Sequence, residues 1–228
     1  MYLKAYLKSI PVGMVDVRYN VHMVILAQLI GLILGLTLHE FAHALMGHYL
    51  GDTTARDQGR LTLNPLAHID PLATLALPLL LILIGSPVIF AAAKPVPFNP
   101  WAVRGGRWGA ALVGAAGPFT NLIIACFFAL CYRLLPYNPT SALFFGAIIV
   151  VNVGLFVFNM IPFPPLDGSR VLYAVAPEGL RELMDRIERA GFVLLLAVML
   201  LGYQFIAPYI ARIILAIVGV LVPGGSLP

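Results

Sequence analysis

Long apolar runs, separated by short polar stretches and proline–glycine breaks, organise this chain, and their lengths predict bilayer-crossing helices. The first run extends from about Val21 to Leu50, where Gly51-Asp52 stops it. A polar stretch follows, Asp52 to Asp70, holding Arg56, Arg60 and Asn64-Pro65. Asp70-Pro71 then reads as a helix N-cap with proline at the first helical position. The run Leu72 to Ile84 breaks at Gly85-Ser86-Pro87, and the prolines up to Pro97 predict extended backbone from Val88 onward. Further spans are expected at about Trp108 to Leu135 and Ala142 to Ile161. Pro177 to Ala190 is charged and amphipathic, with Arg181, Arg186 and Arg189, which predicts an interfacial helix. The last run, Gly191 to Val222, contains Pro208 and suits one tilted helix or a tight hairpin of two. The fold class expected is an all-α polytopic membrane protein of five or six apolar segments, with a re-entrant helix–strand element near residues 71–97.

Composition sharpens this picture. The 228 residues are 61% hydrophobic and only 11% charged, with a mean hydropathy of +0.94. That is too little charge for a soluble domain of this length, so residues 1–228 are expected to form a single integral membrane domain. The net charge of +4 is scattered through short loops, which suits membrane orientation and not nucleic-acid binding. Cys126 and Cys131 are spaced off a common helix face within one apolar run and read as packing residues. Lys4, Lys8 and Arg18 precede no small-residue cleavage site after an apolar core, so no removable signal peptide is expected.

Against this apolar background, His39-Glu40-Phe41-Ala42-His43 stands out. Residues four apart share a helix face, so His39 and His43 can offer nitrogens to one ion. Glu40, beside the first histidine, can reach a metal-bound water as general base. Ionisable groups inside a span are costly and point to function. A catalytic zinc takes three protein ligands and keeps one position open. His22 is too far along the helix for the third, and His48, five residues after His43, turns off the ligand face. His68, Asp52, Asp57 and Asp70 lie in a loop that can fold back and stay open as candidates. Asp167 is the best of the set: the prolines before it unwind the fourth span, and Gly168 lets the backbone turn its carboxylate inward.

Taken together, four pieces resemble the site-2 protease family of intramembrane zinc metallopeptidases. They are His39 to His43, Leu63-Asn64-Pro65-Leu66-Ala67-His68-Ile69-Asp70-Pro71, Ala116-Gly117-Pro118-Phe119-Thr120-Asn121, and Asn159 through Gly168. Each is modest; their order and spacing make the resemblance specific, and it covers most of the chain. It implies one Zn2+ per chain bound by His39, His43 and Asp167, with Glu40 activating water. It also places Asn159 near the substrate backbone, and Asn121 with Gly117 as polar and packing elements flanking the site, with Asn121 beside Asn159 as a candidate for supporting substrate or transition state. The regulatory domains that the family often carries do not fit in this length, so control is expected from a membrane partner.

Depth decides the topology. Counting every apolar run as a span satisfies the distribution of Lys and Arg, but it makes the first and fourth spans antiparallel. The histidines and Asp167 all lie toward the C-terminal ends of their helices, so that model separates them by about 15–20 Å. Bonds of about 2 Å cannot bridge the gap. The conflict disappears if Leu72 to Val96 enters the membrane and returns on the same side, as a run of thirteen apolar residues would suit. The N-terminus is then outside or on the surface.

The expected function is an intramembrane zinc endopeptidase of a bacterial or archaeal cytoplasmic membrane. Its expected partners are single-span membrane proteins as substrates, the lipid bilayer, and no nucleic acid. The strand-like Val88 to Ala93 would offer an edge to an unwound substrate. A surface zinc peptidase is a weaker fit, because the only glutamates after Glu40 are Glu178, Glu182 and Glu188 in the interfacial segment. The rival from another class is a membrane metal transporter or metal-binding protein, which has no special need for a glutamate beside its ligand pair.

Overall fold

The structure, a computed structural model, describes residues 17–85, 93–136 and 138–222. Among these it is helical, without strands. Helix α1 (Val17–Tyr49) contains the histidine motif. It ends as its sequence predicts: Gly51 takes φ 105°, and the N–H groups of Gly51 and Asp52 close back on His48 O and Gly47 O, a paired bonding that satisfies the last carbonyls. A short helix α2 (Thr54–Asp57) and a 3-10 turn (Pro65–His68) follow. Asp70 then caps a wide π-helical turn (Pro71–Ala76), accepting from the N–H of Leu72 and Ala73 at 2.8 and 2.9 Å. The turn runs into α3 (Leu77–Leu83). Beyond it lie α4 (Gly106–Leu134), α5 (Pro139–Asn159), α6 (Asp167–Val175) and α7 (Glu178–Leu221).

Four of the described helices are long and apolar enough to cross a membrane: His22–Tyr49, Gly106–Leu134, Pro139–Asn159 and Val193–Leu221. The first three form the packed body. Gly31 and Gly35, one helical turn apart on α1, let α5 approach closely: a Cβ at Gly31 would lie 3.1 Å from Ile148 Cα, and one at Gly35 only 2.6 Å from Asn152 Oδ1. Val24, Ala27, Leu143, Ala147 and Ile148 bury the same seam. On the other side of α5, Ile149, Val153 and Val157 pack with Ala125 and Ala129 of α4 and Val218 of α7.

Residue pairing fixes the helix directions. Gly31 faces Ile148 and Gly35 faces Asn152, so α1 and α5 run parallel. Along α4 the order reverses, with Val113 reaching His43 and Asn121 reaching Gly35. The C-terminal ends of α1 and α5 therefore share one side, as the ligand argument requires, and a count that makes every apolar run a crossing fails. The connection between α1 and α4 accordingly returns to where it began. Arg104 donates its backbone N–H to Leu50 O at 2.8 Å and its guanidinium to Tyr49 O at 2.9 Å. Lys94 N–H likewise meets His68 O at 2.9 Å, bringing together the two ends of the segment expected to be re-entrant. The strand-like stretch expected at Val88 to Ala93 lies, apart from Ala93, outside the described residues, as does the chain's N-terminal segment.

The last apolar run is one helix and not a hairpin. In α7 the charged stretch expected at the interface joins the span through a kink at Gly191, with φ 63° and ψ −150°. Pro208 sits inside the helix without ending it. Leu201, Phe205, Tyr209 and Leu215 remain exposed, the apolar face that lipid covers.

Candidate metal centre

Three ligand atoms from two helices converge. His39 Nε2 and His43 Nε2 are 3.0 Å apart, and Asp167 Oδ2 lies 3.1 and 3.3 Å from them. The histidines come from one face of α1, and Asp167 from the first residue of α6, where the proline-rich link after α5 turns back. Small residues on α4 make room. A Cβ at Gly117 would collide with His43 Nε2 and His39 Nε2, and one at Gly114 would meet the Asp167 carbonyl at 3.0 Å.

Each histidine is held from behind. His39 Nδ1 donates to Asn121 Oδ1 at 2.7 Å, and His43 Nδ1 donates to the Val113 carbonyl at 2.7 Å. The Asn121 amide is oriented by its other end, since its Nδ2 donates to Gly35 O and to Asn152 Oδ1, both at 3.1 Å. With both Nδ1 atoms protonated, both Nε2 atoms present bare lone pairs. Two lone pairs and a carboxylate oxygen within 3.3 Å repel one another unless a proton or a metal ion sits among them. The spacing is close to what zinc needs: bonds of about 2.0–2.2 Å in tetrahedral array put neighbouring ligands about 3.3–3.6 Å apart, and separations of 3.0, 3.1 and 3.3 Å need widen by only a few tenths of an ångström.

The triad opens on a cavity of about 880 Å³ that Glu40 and Asn159 also line. Glu40 is 8% exposed and His39 3%. Asn159 donates its Nδ2 to Leu155 O at 3.0 Å within its own helix. Asn121, a candidate for supporting substrate or transition state, stands behind His39 with no exposed surface, and it is absent from the cavity wall. The loop candidates are committed elsewhere. His68 is buried, donating Nε2 to Thr62 O. Asp52 accepts from Thr54 and from Asn99 N–H. Burial pushes its carboxyl up, but these bonds together outweigh burial and hold it below the usual range. The Thr53 hydroxyl and Arg56 likewise depress Asp57, and the N–H groups of Ala73 and Leu72 depress Asp70.

A model of peptidase family M50 matches residues 133–202. YwhC of Bacillus subtilis (strain 168), which bears a provisional zinc-metalloprotease name, is 40% identical over 176 residues, 73% of this chain and 77% of its own. The chain belongs to peptidase family M50. Rip2 of Mycobacterium tuberculosis (strain ATCC 35801 / TMC 107 / Erdman), with a similar provisional name, is 33% identical over 182 residues, 77% of this chain and 68% of its own. No solved structure matches. This M50 protein, of the site-2 protease type, is a zinc metallopeptidase with membrane-crossing helices.

Sequence reasoning missed two groups of this M50 site: Asn152 and the Val113 carbonyl. Asn152 carried a signal, being an amide in an otherwise apolar span. The Val113 carbonyl carried none, because a backbone group becomes a partner only through the helix crossing.

Proposed function

We propose that this peptidase hydrolyses peptide bonds of membrane-spanning or membrane-adjacent substrates, with His39, His43 and Asp167 as the zinc ligands and Glu40 as the proton carrier. One observation carries the reading: the motif lies within the span His22–Tyr49. His43 and His39 are six and ten residues before its end, about 9–15 Å below it.

A zinc ion held by His39, His43 and Asp167 would supply a Lewis acid for the scissile carbonyl and would lower the pKa of a bound water toward about 7. Glu40 accepts the proton of the attacking water as oxygen bonds to the carbonyl carbon. It returns that proton to the amine nitrogen as the C–N bond breaks. Asn159, which lines the cavity, is the proposed contact to the substrate backbone. A helical substrate hides its carbonyls in its own hydrogen bonds, so it must unwind locally before attack. Single-span proteins of a bacterial or archaeal cytoplasmic membrane are the proposed substrates. A membrane partner is the proposed regulator.

Purified protein in lipid vesicles, given single-span substrates and the same cleavage sequence on a soluble carrier, tests this. Cleavage confined to the membrane-linked form is expected. Equal turnover of the soluble form would overturn the membrane-substrate reading.

A further inference from the structure

Arg60 is 7% exposed, and among the described residues it has no carboxylate partner. Its guanidinium spends its donors on backbone carbonyls. Nη1 donates to Ala67 O on the 3-10 turn, while Nη2 donates to Lys94 O at 2.5 Å and Pro95 O at 3.3 Å. Nε is buried without a partner. Burying a cation this way is expensive, and an aliphatic side chain would fill the space more cheaply.

What the guanidinium gains is a fixed position for the chain beyond Lys94. Ala93, Pro95, Val96, Pro97 and Phe98 line the same cavity as His39, Glu40 and Asp167. Pro95 and Pro97 have no N–H, so this stretch cannot knit itself into a helix or ladder. It must be anchored from outside. Arg60 holds the carbonyls at its start, His68 O takes the Lys94 N–H, and Asp52 Oδ2 takes the Asn99 N–H at 2.8 Å. The metal triad draws on none of these ties, being fixed by Asn121 and Val113 of α4.

We infer that Arg60 is a positioning residue that sets the 93–98 wall of the cavity and thereby the affinity for the peptide, leaving metal and chemistry to the triad. This rests on reading the cavity as the peptide site. The guanidinium reaches Ala67 O and Lys94 O from two nitrogens held in a rigid plane, a spread that the compact ammonium of lysine does not reproduce, so lysine is not an equivalent replacement.

Arg60→Lys tests the inference in vesicles, beside Arg60→Met as the fuller deletion. Each is also made with a nitroxide on Lys94→Cys, an exposed side chain, in a chain whose free Cys126 and Cys131 are replaced by alanine. For Arg60→Lys the expectation is unchanged zinc content, kcat within about twofold of wild type, KM raised roughly tenfold, and a more mobile nitroxide. A fall in kcat at unchanged KM, loss of zinc, or an unchanged nitroxide would overturn it. Should Arg60→Met fail to fold, Arg60→Lys decides alone. If wild type cleaves nothing, the peptidase reading of the cavity fails separately, and the nitroxide still decides whether Arg60 holds the wall.

Discussion

Asn121 Oδ1 lies 2.7 Å from His39 Nδ1, and the other end of the same amide ties Gly35 O to Asn152. One side chain on α4 thus sets the tautomer of a candidate ligand and bridges all three packed helices. Asn121→Leu leaves these buried groups unpaired, at a cost of about 1–3 kcal/mol. Zinc affinity should fall roughly 10- to 100-fold. Asn121→Asp still accepts from His39 but cannot donate to the two oxygens, so it should keep more zinc than Asn121→Leu while melting lower than wild type. Chelator competition and thermal unfolding measure the two effects.

Gly117→Ala places a methyl against both Nε2 atoms. Overpacking of about 1–3 kcal/mol would fall on the ligand geometry itself. Zinc should be lost or weakened in a folded protein. Gly154→Ala is the matched control, since its Cβ meets only Ile214 Cδ1 at 3.9 Å. Metal analysis of the two variants should separate them clearly.

Asp52 ties the end of α1 to Asn99, and its carboxyl is held below the usual range because its hydrogen bonds outweigh its burial. A depressed folded value stabilises the protein above the unfolded pKa of about 3.9, and that contribution fades as pH falls through and below it. Asp52→Asn should therefore lower stability at neutral pH, with the gap to wild type closing as the medium is acidified below about pH 4. A gap independent of pH would show that the charge of Asp52 contributes nothing.

Much of this arrangement was legible in the sequence, for identifiable reasons. The spans follow from apolar run length, and the histidine pair from helical periodicity. The parallel course of α1 and α5 follows from the short reach of metal bonds. Asp167 was reachable because prolines and Gly168 mark where the fourth span unwinds. Asn121 was visible as a polar residue, yet its place behind His39 was not, because that depends on which face of α4 meets α1. Arg60 looked like one more loop cation until the fold brought Lys94 and Pro95 to it. The helix after Gly191 was ambiguous because a proline in an apolar span is compatible with either a kink or a turn.

Zinc content and cleavage, measured together on wild type and Glu40→Gln with a membrane-embedded single-span substrate, test the central claim most directly. The account predicts one zinc per chain in both proteins and cleavage by wild type alone. Cleavage by Glu40→Gln at the wild-type rate, or wild type that holds zinc at another set of residues, would contradict it.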